Sequence, residues 1–259
     1  MTHNGFSVKP IPGVPMVESG DDLCALILEA LSAQQTVLQD GDIVCLAQKI
    51  VSKAEGQLIA LADVSPSPEA IELAAETGKD PRLVELILQE STDLLRKKPG
   101  VLIMRHRLGI VGAHAGIDQS NVDHGEGDQA LLLPRDPDAS AASLRAALQH
   151  KTGKQLGVII TDSQNRPWRM GTIGAAIGAA GITVLDDHRG GNDLYGRELK
   201  VTLINRADAI ACAATLVMGE TTEKIPLVVV SGMLPETDAV TAEQNAALIN
   251  RPLEEDMFR

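Results

Sequence analysis

Three acidic residues in this chain sit where an apolar segment ends, each beside glycine or a hydroxyl. They are Asp118 in "GAHAGIDQSN", followed by Ser120 and Asn121; Asp162 in "VIITDSQNR", followed by Ser163; and Glu220 in "LVMGETTEK", directly after Gly219. Carboxylates presented this way suit hard divalent cations such as magnesium and manganese, which take oxygen ligands and keep positions for water or phosphate. An aspartate after a strand also serves as a turn residue or helix cap, and the residues alone leave both readings open. Cationic candidates are Lys53 in "IVSKAEG" and Arg166 and Arg169 in "NRPWRMG"; a lone loop lysine is otherwise a solvated one. His114, between Ala113 and Ala115, reads as a core histidine with a hydrogen-bond partner rather than as a ligand. The sequence carries no GxxxxGK[ST] phosphate loop, GxGxxG, GxSxG, HExxH or kinase signature. A nucleotide would therefore have to be held by metals and irregular backbone loops.

The elements that must position these residues follow from periodicity. Ser19 or Asp21 caps a helix on which Leu23, Leu26, Ile27, Ala30 and Leu31 share a face. A turn at Asp40-Gly41 precedes a buried strand over 43–47, and a polar break follows at Ser52-Lys53. "SPSPEAIELAAETGKDPRLVELILQES" predicts two helices split by Gly78 and Pro81. Two strands joined tightly at Arg107-Leu108-Gly109 lead toward Asp118, and "QSNVDHGEGDQ" is a long polar loop. "DPDASAASLRAALQHKTGK" is a helix, acidic at its start, with Lys151 and Gly153 at its end, as the helix dipole and C-cap favour. A strand over 156–161 then delivers Asp162 to the point where the chain leaves the sheet.

In "GTIGAAIGAAG", Gly171, Gly174, Gly178 and Gly181 recur at spacings of three and four. That spacing predicts a helix face without side chains, suited first to close packing, for instance at a dimer interface, and second to contact with a ligand. "ELKVTLIN" is a further strand, "ADAIACAATLVMGE" a helix ending at Gly219, and "IPLVVVSG" a buried strand. The irregular alternation of strands and helices predicts a mixed α/β or α+β fold.

With 259 residues the chain suits one large domain or two modest lobes, with ample length for a core. Aromatic residues make up only 2%, so that core must be built from Leu, Ile, Val and Ala. A net charge of −12 gives no electrostatic footprint for nucleic acid or an anionic membrane. The scarcity of aromatics also argues against base-stacking platforms. An anionic ligand would need a metal ion or a local Lys/Arg cluster. Cys24, Cys45 and Cys212 lie far apart in apolar surroundings, without a CxxC pair, and read as buried free thiols of a reducing cytosol. The first residues lack the apolar core of a signal peptide, and no apolar run approaches the roughly 20 residues that cross a bilayer. A cytoplasmic protein is expected.

The stretches "GVPMVESGDDL", "DGDIVCLAQKIVSKAEG", "AGIDQSNV", "LLLPRDPDASAASLR", "GVIITDSQNRPWRMGTIGAAIGAAGI", "DLYGRELKVT" and "LVMGE" run along nearly all of the chain. "SKAEG", "AGIDxSNV" and "TDSxxRPWRxG" are the most specific. On these residues the chain resembles the coenzyme F420-0:L-glutamate ligase family, the γ-glutamyl ligases that build the tail of the deazaflavin coenzyme F420.

The resemblance implies a GTP-dependent amide ligase. GTP would phosphorylate the terminal carboxylate of F420-0, and the amine of L-glutamate would attack the acyl phosphate. A carboxylate oxygen is too poor a leaving group without that step, and metals neutralise the charge that crowds around it. The resemblance implies two divalent metals per site, magnesium or manganese, with a monovalent cation as an option. Carried over by residue, Asp118 and Asp162 would hold the first metal, and Ser163 and Glu220 the second. Asp118, Asp162 and Lys53 would carry catalysis, with Lys53 and Asn121 touching GTP. Pro12, Gly13, Val14 and Pro15, together with segment 218–225 (Met218, Gly219 and Thr221 among it), would cradle the nucleotide by backbone.

It further implies one ligase domain over 1–259 in two interleaved lobes, forming an intertwined homodimer. The fused nitroreductase-like domain of some bacterial members would be lacking. Two alternatives stay open: a γ-glutamyl ligase for another acidic cofactor, such as a pterin or modified deazaflavin, and a non-catalytic, metal-dependent nucleotide-binding protein.

Overall fold

The computed structural model describes residues 5–125, 127–165, 168–233 and 244–257. Its first part runs β1 (Ser7–Pro10), α1 (Leu23–Ala33), β2 (Ile43–Ala47), α2 (Gln48–Ala54), β3 (Leu58–Ala60), α3 (Pro68–Thr77) and α4 (Pro81–Gln89). There follow β4 (Ser91–Lys98), β5 (Val101–His106), β6 (Val111–Ala113), β7 (Gln129–Leu131) and α5 (Pro137–Thr152). The last part is β8 (Gly157–Asn165), β9 (Thr172–Ala180), β10 (Leu185–Asp187), β11 (Leu203–Asn205), α6 (Arg206–Met218) and β12 (Leu227–Ser231). The class is mixed α and β, as the irregular alternation predicts.

A five-stranded sheet in the order β1-β12-β2-β8-β9 forms the centre. β2 and β8 run parallel, and the other neighbours are antiparallel. Side chains alternate across each strand. Val44, Leu46, Val158, Ile160 and Val229 therefore face α1 and α5, whereas Ile43, Cys45, Ile159 and Val228 face α6. Both layers are aliphatic, and the largest fully buried side chains are Ile, Leu and Met, as the shortage of aromatics requires. Each such side chain contributes roughly 1.5–3 kcal/mol on burial.

A second lobe packs α3 and α4 against the antiparallel sheet β4-β5-β6. Its helices start where chain chemistry says they should. Ser67 and Asp80 accept hydrogen bonds from first-turn amides, and Pro68 and Pro81 follow them. Gly78 closes α3 in the left-handed conformation.

Several expectations are corrected. The Gly171–Gly181 face is not helical: Thr172–Ala180 is β9, the outer strand of the central sheet. Its pairing with β8 shifts register between Ile160 and Thr161, leaving Ile177 as a bulge. The bulge swaps the parity of the strand, so Gly174 and Gly178 lie on opposite faces although they are four residues apart. A Cβ on Gly174 would stand 2.4 Å from the Ala211 carbonyl oxygen of α6, and one on Gly178 would stand 2.3 Å from the Pro137 carbonyl oxygen of α5. The small residues let a helix backbone touch the sheet on each side. They serve packing within this chain.

Other corrections are smaller. α1 is capped by Asp22, not by Ser19 or Asp21. The expected polar break at Ser52-Lys53 lies inside α2, where Ser52 is buried and donates to Gln48 Oε1 at 2.8 Å. β4 carried no sequence signal, because its residues are mostly exposed and charged. Only Leu203–Asn205 of "ELKVTLIN" is a strand, paired with β10. Cys24 and Cys45 are buried thiols, whereas Cys212 is half-buried and donates to the Gly174 carbonyl. Among the described residues, no helix is long and apolar enough to cross a membrane.

Candidate active site

Open α/β sheets place their functional crevice at the carboxyl ends of the parallel strands. Here that is the edge where β2 ends, with Ala47 opposite Thr161 of β8. β2 runs straight into α2. Beside it, the Ala47 amide donates to Pro226 and the Ile11 amide to Leu227, each at 2.9 Å. The start of the 12–15 loop, the end of the 219–226 loop, the first turn of α2 and residues 162–163 thus converge on one sheet edge. Gly13 has φ 94° with open space around its missing Cβ, so glycine is needed there for backbone conformation alone.

Asp162 does not sit where the chain leaves the sheet. β8 continues to Asn165, and Asp162 stays in register with Ala175. What ends beside it is β2. Because neighbouring residues of a strand face opposite ways, Asp162 and Ser163 serve different surroundings. Thr161, just before them, is buried and donates to the Leu46 carbonyl at 3.3 Å. Asp162 accepts the Ser163 amide, and burial pushes its carboxyl up to about 7, with the negative charge of Asp118 adding to that. Lys49 opposes the rise and Glu220 adds a little to it. Ser163 Oγ donates to Glu220, whose two carboxylate oxygens lie at 2.7 and 2.6 Å. Glu220 is placed there by Gly219, which ends α6 with φ 76°.

Asp118 arrives by a strained turn. His114, Ala115 and Gly116 are consecutively left-handed, with φ of 55°, 54° and 70°. Such residues cost about 1 kcal/mol or more each when they carry a Cβ. A Cβ on Gly116 would stand 2.9 Å from Leu133 Cδ1. The turn buries Ala115 and Ile117 in the second lobe's core and leaves Asp118 bridged by backbone to Leu131, with N–O distances of 3.0 and 2.8 Å. The Asp118 carboxylate then faces α2. Gln48 Nε2 donates to Oδ2 at 3.2 Å, and the Lys49 ammonium pairs with the same oxygen.

Lys53, one helical turn on, reaches the Asn121 carbonyl at 3.5 Å. Burial holds the Lys53 ammonium below its ordinary pKa, and the positive charge of Lys49 adds to that, against Asp123. Asn121 itself has φ 55°, a conformation asparagine tolerates.

The sequence-predicted residues therefore converge, with three qualifications. Met218 is buried and accepts from Thr161 Oγ1 through its sulfur, so only its backbone can face the crevice. The Thr221 amide and hydroxyl already donate to the Glu223 carboxylate, at 2.8 Å and at 3.1–3.2 Å. His114 is half-buried on the second lobe, 3.3 Å from the Gly100 carbonyl; it has the expected partner but is not in the core. Arg169 is exposed, and Arg166 lies outside the described residues. Gln48 and Lys49 have no motif of their own. Their only sequence signal is that Lys49 and Lys53 stand four apart after a buried strand, which puts both on one helix face.

Among the described residues, no three His, Cys, Asp or Glu side chains stand close enough to hold a metal unaided. The donors come instead as an Asp118–Asp162 neighbourhood and a Ser163–Glu220 pair. Hard oxygen donors of that number suit Mg²⁺ or Mn²⁺, which use one or two carboxylates and complete their shells with water and phosphate. Burial, and then the Asp118 charge, disfavour the ionised Asp162 carboxylate, and a bound divalent ion would offset both.

Clustered oxygen donors and two lysines beside backbone loops at the end of β2 suit chemistry on charged groups. Comparison with known proteins is specific. The F420-0:Gamma-glutamyl ligase family model matches residues 13–232, and the chain belongs to that family. It is 45% identical over 255 residues to the coenzyme F420:L-glutamate ligase of Methanothermobacter thermautotrophicus, covering 98% of this chain and 99% of that one. It is 46% identical over 252 residues to the enzyme of the same name from Methanopyrus kandleri, covering 97% of each. The Methanocaldococcus jannaschii enzyme is 40% identical over 246 residues, covering 95% and 94%. The chain is an enzyme, a ligase that forms amide bonds.

Proposed function

We propose that this enzyme joins L-glutamate to the terminal carboxylate of F420-0, using GTP and an acyl-phosphate intermediate. The observation that carries the reading is the convergence of Asp118, Asp162, Ser163 and Glu220 with Lys49 and Lys53 where β2 ends beside β8. The relatives named above supply the substrate class.

Asp118 and Asp162 would hold one divalent ion, and Ser163 with Glu220 a second; magnesium or manganese bound there would neutralise charge on the transferred phosphoryl group. Lys53 would add positive charge opposite the phosphates and fix the 118–121 loop. Gly13 and Val14 of the 12–15 loop and the 218–225 segment would offer backbone amides to the nucleotide. For that, Glu223 would have to leave the Thr221 amide. A protein of net charge −12 handling three anionic substrates needs such local cations.

A cytoplasmic homodimer is part of the proposal. Support for the dimer lies in apolar side chains that face solvent within this chain, among them Leu194, Tyr195, Val201 and Leu216. Light scattering in solution tests it; a monomer at working concentration would contradict it.

The test of the reaction is turnover with GTP, Mg²⁺ plus Mn²⁺, L-glutamate and F420-0, followed by mass spectrometry. The expected product is heavier by glutamyl residues, with matching GDP. A product formed only from a pterin or a modified deazaflavin would replace the acceptor. GTP binding without turnover on any acceptor would remove the reaction.

A further inference from the structure

Lys49 stands among the acids at the end of β2, but the ligase reading gives it no chemical role of its own. Its ammonium pairs with Asp118 Oδ2, the carboxylate oxygen that also receives Gln48. The contact spans from the first turn of α2 to a loop 69 residues away, and both partners are about 30% exposed. Lys53, on the same helix face, holds the neighbouring carbonyl of Asn121. The Asp118 backbone is held by its bridge to Leu131, which keeps the residue beside α2. A lysine ammonium and a divalent ion cannot share one carboxylate oxygen without strong repulsion. Of the two groups, the lysine is the one on a flexible stem.

We propose that Lys49 is a displaceable counter-ion for Asp118: it disfavours a lone metal ion there, and it moves onto the nucleotide phosphates when metal and nucleotide arrive together. This rests on the metal and nucleotide assignments above. Binding of the two ligands is then coupled, because each relieves a conflict the other creates, and the coupling is reciprocal.

The test is Mn²⁺ binding, read by the electron paramagnetic resonance of the free ion, with and without a non-hydrolysable GTP analogue. The wild-type protein should bind Mn²⁺ weakly alone and about tenfold or more tightly with the analogue. Lys49→Met keeps the length and apolar stem of the side chain, and should bind Mn²⁺ alone about tenfold more tightly than wild type, with most of the coupling gone. Lys49→Ala should do the same, and Lys49→Arg should restore wild-type behaviour. Thermal melts confirm that each variant is folded. Lys49→Met and Lys49→Ala proteins that bind Mn²⁺ no better than a wild-type protein that does bind it would overturn the proposal alone. A wild-type protein that binds no Mn²⁺, with or without the analogue, would overturn the metal assignment as well.

Discussion

Asp138 and Asp162 are both aspartates set against strands of one sheet, and their surroundings differ sharply. Asp138, in the first turn of α5, accepts three backbone amides: Ala179 at 2.8 Å, Ala246 at 2.7 Å and Ala247 at 3.1 Å. On the opposite face Asp208, in the first turn of α6, accepts the Ala176 amide at 2.8 Å and Asn205 Nδ2 at 2.6 Å. β9 is the outer strand and bulges at Ile177, so it has amides that no neighbouring strand can use. The two helices supply carboxylates to them. Asp162 accepts one backbone amide and faces the negative charge of Asp118 instead. The first pair of carboxylates is saturated by donors and holds the fold together. The second set gathers buried and facing carboxylates around one lysine, Lys49, and leaves Asp162 with a single backbone donor. A carboxylate's role is decided by its donors, not by its position after an apolar run.

The largest effect that would break this contrast is at Asp162. Asp162→Asn should lower kcat by about 10³-fold or more, since it removes a proposed metal ligand. The same change should stabilise the metal-free fold at pH 8. The sign follows from linkage: the folded carboxyl titrates near 7 and the unfolded one near 3.8, so the folded form binds its proton more tightly. Stability therefore rises as pH falls from about 7 toward 3.8, and the full penalty stands above 7. The gap converts to at most about 4 kcal/mol, and the remaining solvent contact reduces the expected gain to about 1–2 kcal/mol. Thermal melts at pH 8 in the presence of a chelator check it. A destabilised Asp162→Asn protein would mean that the carboxylate is structural.

Asp138→Ala should behave in the opposite way. It leaves three amides without their acceptor and should cost about 3 kcal/mol, while kcat per folded molecule stays within about twofold of wild type. Urea unfolding with a parallel turnover assay separates the two. A large loss of kcat in fully folded Asp138→Ala protein would erase the distinction between the sets.

Gly174→Ala sharpens the same point at the strand that the saturated set grips. Its Cβ would meet Thr215 Oγ1 at 2.2 Å and the Ala211 carbonyl oxygen at 2.4 Å, so α6 must move, at about 2 kcal/mol. Gly171→Ala meets nothing within 4 Å; its cost comes only from its φ of 86°, about 1 kcal/mol. Melting temperatures in that order are expected, with Gly174→Ala the lower.

The smallest effect concerns a third carboxylate, Glu90. The hydrogen bond from His106 Nε2 holds it below its ordinary 4.5, and the Arg107 charge adds to that. The stability this contributes is complete above pH 4.5 and disappears as pH falls through the lower folded value. Glu90→Gln should cost about 1 kcal/mol near neutrality, with the difference from wild type vanishing in acid. A difference that persists at pH 2 would show that packing, not charge, was lost.

Much of this molecule is legible in its sequence. The helices α3, α4, α5 and α6 and the strands β2 and β12 follow from caps, proline and glycine placement and apolar runs, all of which are local. The acids Asp118, Asp162 and Glu220 were legible as chemistry because each interrupts an apolar segment. β9 was not: glycines three and four apart mimic a helix face, and only the bulge at Ile177 and the approach of α5 and α6 explain them. Partners that set these acids' roles lie far along the chain: Ser163 and Glu220 are 57 residues apart, Lys49 and Asp118 are 69 apart, and Asp138 and Ala246 are 108 apart.

What the sequence determined by itself is the set of elements and the types of oxygen and nitrogen they carry, since propensity, capping and burial pattern act over a few residues. What the tertiary structure decided is which carboxylates are satisfied by backbone donors and which are buried facing one another. That depends on donors brought from distant segments, and on charges whose influence reaches only across a few ångströms of packed protein.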